Sequence, residues 1–554
     1  MDKRMLLSNL DVLTTAPGGV ARLRELILTL AVQGKLVPQD PADEPASVLL
    51  QKIRAEKDRL MAEGKIKRDK PLAEIAEEDK PFELPAGWEW VRCDDYFLEL
   101  CTGPFGSMIH QEDYVRDGVP LINPSHMVGG RIIHDPRVTI NVADAERLSA
   151  YALSAGDMVL ARRGEVGRYA YVTEQERGWL CGTGSFFVRL YSQCNREYLG
   201  LIFSDVRFRR HLQGESVGTT MTNLNQRILL NALLALPPLA EQSRIVTRVE
   251  ALMRLCDALQ AKGQLEAAQH AQLVSTLLGT LADSTTPEEL ADNWQRVAQH
   301  FDLLLDRPEA IDALEQTLLQ LAVRGLLTLH QRDELFTAQS RDCSRTQKEG
   351  PFAVPVDWEW CRLGEVAELI NGDRGQNYPN KSEYVPAGVP FINTGHIDPD
   401  GSLSASRMHF LTRKKFDSLR SGKVRKGDLV YCLRGATLGK TAIVDYEEGA
   451  IASSLVIVRP SPKLDNQFLL LYLTSPAGRS FIWQHDNGSA QPNLAAGSLK
   501  KYWIPLPPLA EQSRVVTRVT ALRRLCADLR QRLKAAQVTQ SHLAQALVDS
   551  TSFV

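Results

Sequence analysis

Residues 236–256 read LPPLAEQSRIVTRVEALMRLC, and residues 506–526 read LPPLAEQSRVVTRVTALRRLC. Two segments this similar, 270 positions apart, indicate an internal duplication. Their apolar residues recur at steps of four and three, which is typical of one face of a helix, and a proline pair suits a helix's first turn. This spacing favours helices that pair along a seam, although an amphipathic helix packed on a core gives the same pattern. The predicted pairing residues are Ile245, Val249, Leu252, Leu259, Val515, Val519, Leu522 and Leu529.

The same offset relates other segments of the chain. It aligns FELPAGWEW at 82–90 with FAVPVDWEW at 352–360, and GVPLIN with GVPFIN. Between these landmarks, short apolar runs separated by Gly, Asp and Asn read as strands, with one helical stretch late in each segment. We therefore predict two homologous mixed α/β blocks, 82–238 and 352–508.

A shorter repeat precedes each block: LAVQGKL at 30–36 and LAVRGLL at 321–327. Both continue a helical pattern, and Gly34 and Gly325 occupy the place where a glycine commonly ends a helix. The order is helix, block, helix, helix, block, helix. The predicted divisions are a first helix at 1–36, a charged linker or hairpin at 37–81, the first block at 82–238, central helices at 239–329, a linker at 330–351, the second block at 352–508 and a last helix at 509–554.

The composition is that of an ordinary globular protein, with 44% hydrophobic and 24% charged residues over 554 positions. The start of the chain lacks the apolar stretch of a signal peptide, and no stretch approaches the length of a membrane span, so a cytoplasmic protein without membrane contact is expected. Nine scattered cysteines without CxxC spacing predict reduced thiols.

Catalytic motifs are missing from the sequence. Gly435 opens GATLGKT, which has three residues between its glycines where a phosphate-binding loop of this kind needs four. No HExxH motif occurs, and no GxGxxG follows a predicted strand. His126 and His396 suit polar turns better than catalysis. We predict no catalytic residue and no metal ligand.

Charge points instead to a polyanion. Residues 407–426 carry eight basic residues and one acid, a run that favours phosphate contact, although a solvated surface has the same composition. The first block has arginines but no lysine, which suits contacts through two hydrogen bonds to guanine or phosphate. Asn and Gln in late loops can pair with adenine edges, although Asn223 and Asn493 could equally close their loops.

The predicted DNA-binding residues fall into two sets, one in each block. In the first block they are Arg162, Arg163, Arg168, Arg207, Arg209, Arg210, Thr219, Thr220, Asn223 and Asn225. In the second block they are Arg374, Arg413, Lys414, Lys415, Lys423, Lys426, Arg434, Lys440, Gln491 and Asn493.

The chain resembles the specificity subunits of type I restriction-modification enzymes over nearly its whole length. The resemblance is carried by LAVQGKLVPQDPADEPAS, PFELPAGWEW, TGPFGS at 102–107, NGDRGQNYPNKSEY at 371–384, both GVP(L/F)IN segments and the paired LPPLAEQ helices. It implies an α+β multidomain fold, a pseudo-two-fold tandem repeat in which long antiparallel coiled-coil helices separate two target-recognition domains. Each domain would read half of a split double-stranded DNA target.

The resemblance also implies a non-catalytic role. Such subunits recruit two adenine methyltransferase subunits, which use S-adenosylmethionine, and restriction subunits that translocate DNA with ATP and magnesium. No cofactor is expected on this chain itself. Two other functions compete: a degenerate DNA methyltransferase or nuclease acting alone, and a coiled-coil adaptor without DNA contact.

Overall fold

The structure is a computed structural model that describes residues 10–66, 74–105, 108–214, 223–328, 350–484 and 494–552. It divides into two units, one formed by Met1–Gln264 with Gln537–Val554 and the other by Leu265–Ala536. Each unit contains one of the two blocks. The unit boundaries fall inside the long helices that follow the blocks, and not in the linkers at 37–81 and 330–351.

The elements up to the middle of the chain are nine helices and twelve strands among the described residues. The helices are α1 (Leu10–Thr15), α2 (Gly19–Val32), α3 (Ala46–Ala62), α4 (Cys93–Tyr96), α5 (Val142–Arg147), α6 (Arg196–Ser204), α7 (Val206–Gly214), α8 (Gln226–Asn231) and α9 (Leu239–Asp283). The strands are β1 (Glu89–Arg92), β2 (Phe97–Thr102), β3 (Tyr114–Val115), β4 (Val119–Ile122), β5 (Met127–Val128), β6 (Arg131–Ile132), β7 (Thr139–Ile140), β8 (Met158–Ala161), β9 (Tyr169–Tyr171), β10 (Leu180–Cys181), β11 (Ser185–Leu190) and β12 (Leu233–Leu236).

The remaining described part contains nine helices and eleven strands. Its helices are α10 (Pro287–Gln299), α11 (Phe301–Leu304), α12 (Pro308–Val323), α13 (Leu363–Val366), α14 (Arg413–Ser418), α15 (Asn466–Thr474), α16 (Pro476–Gln484), α17 (Ala496–Leu499) and α18 (Leu509–Ser552). Its strands are β13 (Glu359–Arg362), β14 (Ala367–Asn371), β15 (Tyr384–Val385), β16 (Val389–Ile392), β17 (His409–Leu411), β18 (Lys423–Arg425), β19 (Leu429–Cys432), β20 (Thr441–Ile443), β21 (Glu448–Ile451), β22 (Leu455–Pro460) and β23 (Trp503–Leu506).

The helix ends follow the signals in the sequence. Gly34 and Gly325 both adopt positive φ, +69° and +75°, just after α2 and α12, as predicted for helix ends. The long helices α9 and α18 begin directly after the two Pro-Pro pairs, which confirms the predicted starts. The predicted mixed α/β character of both blocks is confirmed as well.

Each block contains two main sheets and is closed by a short ladder. In the first block the orders are β2-β11-β8-β9 and β10-β4-β7-β3, and in the second they are β14-β22-β19-β20 and β15-β17-β16-β21-β18. Pairing is antiparallel except between β4 and β10 and between β16 and β21. β1 pairs with β12, and β13 pairs with β23, so each block starts and ends at one place, where its long helix begins.

The core of the first unit combines its block with the flanking helices. Ile245 and Val249 of α9 are buried in this core together with residues of α2 and of the strands. Leu252 packs against the same core, whereas Leu259 is exposed. Ile245 and Val249 thus share a core with residues of the helix α2 as well as with the strands of the first unit, and their predicted role in helix pairing stays a prediction.

The charged segment at 37–81 is more ordered than a linker. Residues 46–62 form α3, and its buried Leu49 and Ile53 join the core of the first unit. Apolar residues four apart lie on one face of a helix, which explains why this otherwise charged segment can pack. Residues 67–73 and 329–349 lie outside the described part of the chain.

The two ends of the chain pack together in the first unit. Ala544, Leu547 and Val548 of α18 are buried against Leu13 and Leu26 of the N-terminal helices. Arg22 donates hydrogen bonds to Ser541 Oγ at 2.8 Å and to Gln545 Oε1 at 3.0 Å. The first unit is thus completed by the end of α18, from residue 537 onward.

The helices of the second unit run antiparallel where α12 meets α18. Arg530 lies 2.5 Å from Asp312, and Arg523 lies 3.0 Å from Glu315, so the residue numbers rise on one helix as they fall on the other. The predicted pairing residues of α18 divide between two cores of this unit: Val515 and Val519 lie in the core of the second block, and Leu522 and Leu529 pack beside α12. Residues of α12 belong to both cores, so all four positions share a core with that helix within the unit.

No helix among the described residues is long and apolar enough to cross a membrane. No group of three or more His, Cys, Asp or Glu side chains in the described ranges is placed to hold a metal ion. All eight cysteines in the described part are free, and six of them are buried, which confirms the predicted reduced thiols for those eight.

Candidate nucleic-acid interface

One β-hairpin loop in each unit presents basic residues at matching places. The loop at 162–168 joins β8 to β9, and the loop at 433–440 joins β19 to β20. Each loop turns through two glycines in the left-handed region, with φ of +72° and +82° in the first and +76° and +83° in the second. Arg163 and Arg434, which directly precede the first glycine, are both exposed. The loops therefore present one arginine in the same way.

Arg162 is half-buried, whereas the neighbouring Arg163 is exposed. Its guanidinium carbon lies 5.4 Å from the centre of the Phe186 ring, a cation–π contact. Burial, and then the charge of Arg163, lower the pKa of Arg162. This side chain is fixed in place, whereas that of Arg163 is free to reach a ligand.

Glu165 brings two predicted arginines together. Arg168 Nε donates to Glu165 Oε2 at 3.1 Å, and Arg209 Nη1, from α7, donates to Glu165 Oε1 at 3.2 Å. The stem of Arg209 also lies over Gly167, where an added Cβ would come within 3.1 Å of it. The loop and α7 thus form one cluster in which an acid holds two cations.

The other two arginines of α7 lie in different surroundings. Arg207 lies 3.8 Å from the buried Asp205 and lines a cleft of about 840 Å³ with Phe82 and Trp90. Arg210 is exposed. The three arginines of α7 therefore do not form one surface, and Arg209 alone is joined to the loop by the contacts above.

The late segment of the first block runs beside the loop. Asn223 forms an isolated antiparallel bridge with Arg163, and Asn223 Oδ1 is buried without a hydrogen-bond partner among the described residues. The Oδ1 of Asn225 accepts from the amide of Ile228 at 2.9 Å and caps α8. The side-chain carbonyl of Asn225 thus has a structural partner, and DNA contact by this residue stays a prediction. Thr219 and Thr220 lie outside the described residues.

The second unit places its predicted residues on several elements. Arg374 is exposed, and its Nη2 donates to the carbonyl of Ser453 at 3.4 Å. Lys440 is half-buried at the end of the hairpin loop that contains Arg434. Gln491 and Asn493 lie outside the described part of the chain.

The basic run at 407–426 meets acids from neighbouring strands and loops. Arg413 forms a bidentate pair with Glu448, and Arg407 pairs with Asp398. The remaining pairs and contacts are Lys415 with Glu383 at 2.9 Å, Lys426 with Glu447 at 3.1 Å, and Lys423 with the carbonyl of Asp417 at 3.2 Å. The run is therefore not the continuous positive surface that its count of charges predicts.

Lys414 and Arg420 are the members of the run whose side chains stay open. Both are exposed, and neither side chain has a hydrogen bond or ion pair with a residue in the described ranges. Arg420 is absent from the predicted set. Glu165 and Phe186 are also absent from it. A comparison of the two blocks indicates both residues, because Ala436 follows the first glycine of the second loop, as Glu165 does in the first, and Val456 lies 270 positions after Phe186.

The histidines adopt the predicted turn role. The Nδ1 atom of His126 accepts from the amide of Asn123 at 3.2 Å, and that of His396 accepts from Asn393 at 3.1 Å. Burial lowers the pKa of both rings and favours the neutral form that accepts. Their matching geometry shows that the turn after each GVP(L/F)IN strand is part of the shared scaffold.

Comparison with known proteins places this architecture in a family. The family model of the type I restriction modification DNA specificity domain matches residues 87–269 and 355–539, with one match for each block. The chain is 33% identical to the type I restriction enzyme EcoAI specificity subunit of Escherichia coli, over 96% of this chain and 94% of that protein. It is also 33% identical to the EcoEI specificity subunit of the same organism, with the same shares covered.

One solved structure also aligns with most of the chain. It is the HsdS subunit from Thermoanaerobacter tengcongensis, which aligns with a TM-score of 0.41 and 22% identity over 85% of this chain and 98% of that chain. The family match covers both blocks, and the two Escherichia coli relatives span almost the whole chain. The chain therefore belongs to the family of type I restriction-modification DNA specificity subunits.

Proposed function

We propose that this chain binds double-stranded DNA and reads a split target, one half with each block. The observation that carries the proposal is the matched pair of hairpin loops, each with an exposed arginine before its first glycine. The side chains around the two loops differ: Glu165 in the first loop corresponds to Ala436 in the second. Two loops at equivalent positions with different side chains suit two half-sites of different sequence.

Arginine is well suited to such a role in this setting. Its planar guanidinium donates pairs of hydrogen bonds to phosphate or to a guanine edge. Arg163 and Arg210 are exposed and have no acidic partner among the described residues. These two would offer the first block cations that contact DNA without first breaking an ion pair to a described residue.

The partner subunits in the proposal are two adenine methyltransferases and, with them, restriction subunits that translocate DNA. Exposed leucines on the two long helices support two equivalent docking places. Leu255 and Leu525 are 60% and 59% exposed, and Leu273 and Leu543 are 51% and 49% exposed, each pair separated by the repeat offset of 270. Leucines exposed at matching places of the repeat would suit two copies of one partner.

The chemistry would belong to those partners. The methyltransferases would use S-adenosylmethionine, and the restriction subunits would use ATP and magnesium. This chain would hold none of the three, and it would act in the cytoplasm. Its contribution would be to select the DNA on which the partners work.

The test is a genome-wide map of methylated adenines in cells with and without this protein. We expect methylation that depends on the protein, at a motif with two different defined halves and an unread gap between them. A single continuous palindrome would contradict reading by two unlike blocks.

Two assays address the competing functions. A methyltransferase or nuclease acting alone would bind S-adenosylmethionine or cleave DNA as the purified chain, and we expect neither. An adaptor without DNA contact would leave the DNA binding of the methyltransferase complex insensitive to substitutions at Arg163 and Arg434. We expect replacement of both by glutamine to weaken that binding.

A further inference from the structure

The two units place different residues at one equivalent backbone position. The amide of Arg162 donates to the carbonyl of Gly184 at 3.0 Å, and the carbonyl of Arg162 accepts from the amide of Leu224 at 2.9 Å. Leu433 makes the same two bonds, since its amide donates to the carbonyl of Ser454 and its carbonyl accepts from the amide of Leu494, both at 2.9 Å. Ser454 and Leu494 lie 270 positions after Gly184 and Leu224. Arg162 and Leu433 therefore leave equivalent strands, β8 and β19, at the same point of the scaffold.

The side chain that packs beside this position also differs between the two blocks. Leu433 is 1% exposed in the core of the second block, which also contains Val456. In the first block the counterpart of Val456 is Phe186, and the guanidinium of Arg162 lies over its ring. An apolar pair in one unit is thus replaced by a cation on an aromatic ring in the other.

Among the described residues, Arg162 has no anionic partner. Its Nε atom is buried and has no hydrogen-bond partner within the described ranges, and no carboxylate there lies at ion-pair distance from it. Its ionisable neighbours are Arg163 and the buried thiol of Cys181. Desolvating a cation without a partner costs stability, and the second block shows that leucine fits the same backbone. A residue that breaks a local rule in this way is commonly retained for function.

We propose that Arg162, held on the Phe186 ring, is a specificity-determining residue that reads a base edge in the first half-site. Its chemistry fits an edge with two acceptors, of which guanine N7 and O6 are the matching pair. The residue is half-buried, and its contact with the ring restricts the guanidinium, so less freedom would be lost on binding than for a fully exposed arginine. This inference rests on the proposed function.

The decisive variant is R162L, tested in the complete methyltransferase complex. It gives the first unit the residue that the second unit already carries, so the fold should accept it. We expect its Tm to equal or exceed that of the unchanged protein, because an unpartnered cation is removed. We also expect the preference for the cognate first half-site over a substituted one to fall about tenfold or more, with the second half-site still discriminated.

Two further variants sharpen the experiment. R162K keeps the charge but loses the planar fork, and we expect it to lose the same discrimination. R177L is the matched control, because Arg177 is an exposed arginine of the same block whose Nη2 pairs with Glu174 at 2.8 Å. We expect R177L to keep the preference for both half-sites.

Several results would overturn the inference. A lower Tm for R162L would assign Arg162 to structural support, and so would loss of discrimination at both half-sites. A uniform loss of affinity for every sequence, with a weaker salt dependence, would identify a phosphate contact. Unchanged discrimination would remove any role in readout. Failure of the proposed function itself is distinguishable, since the unmodified complex would then prefer no DNA sequence.

Discussion

Glu165 shows how a single residue sets the charge available to DNA. Its carboxylate holds both Arg168 and Arg209, so one negative charge partly offsets two of the cations predicted from the sequence. The residue itself is exposed, and ion pairs at such positions stabilise a protein by less than about 1 kcal/mol. The pair can therefore open when a phosphate approaches, which makes Glu165 a competitor of DNA for these arginines.

We expect E165Q to raise the affinity of the complex for DNA of any sequence. Removing the carboxylate frees two guanidinium groups and removes one negative charge, so the dependence of affinity on salt should steepen by about 0.9 in logarithmic slope for each additional phosphate that is bound. Binding measured at several salt concentrations checks this. The control is E174Q, since Glu174 pairs with Arg177 in the same i,i+3 spacing. Equal curves for E165Q and the unmodified complex would show that these arginines do not meet phosphate.

Asn225 provides a second case in which one side chain has two possible roles. Its Oδ1 caps α8, so N225A should lower the free energy of unfolding by about 1 kcal/mol, while N225S, which can still cap, should cost much less. Thermal or urea unfolding checks both values. We expect both variants to keep the sequence preference of the complex. A stable N225S protein with altered preference would instead support base readout by Asn225.

At the scale of elements, the sequence predicts the repeated helices better than the contacts between residues that are distant in the chain. Helix starts and ends follow from local chemistry, as the Pro-Pro pairs and Gly34 show. Pairing of Arg413 with Glu448 could not be predicted, because the two lie 35 positions apart on elements joined by the sheet. A count of charges along the chain misses acids that the fold supplies from elsewhere.

The basic run gives an element-scale prediction. We expect K414Q with R420Q to weaken DNA binding for all sequences and to reduce the salt slope by about 0.9 for each phosphate that is no longer bound. The matched variant is K415Q with K426Q, which removes the same charge from side chains that are already paired. Because the change in net charge is equal, a difference between the two reports direct phosphate binding. If both variants lose affinity equally, the run acts only through its general field.

At the scale of the whole molecule, the end of α18 packs with the N-terminal helices in the first unit, and the sequence repeat alone does not predict this contact. Residues 544 and 548 near the end of α18 are separated by the offset of 270 from Val274 and Leu278 near the end of α9. The α9 residues lie in a core with α12, and the α18 residues lie in a core with α1 and α2. The apolar spacing described for the sequence covers 245–259 and 515–529 only, and nothing local in the sequence selects a partner more than 500 residues away.

This closure predicts that damage at the end of the chain weakens its beginning. Ala544 is fully buried, so A544D would place a carboxylate in an apolar core, which costs about 3 kcal/mol or more. We expect faster hydrogen exchange in α1 and α2, with the second block unchanged. V274D, at the equivalent position, should instead loosen α12 and leave α1 and α2 protected, while V538D, at an exposed position of the same helix as Ala544, should alter neither. If A544D unfolded both blocks together, the two units would not be separate cooperative bodies, and the division of the chain would have to be drawn differently.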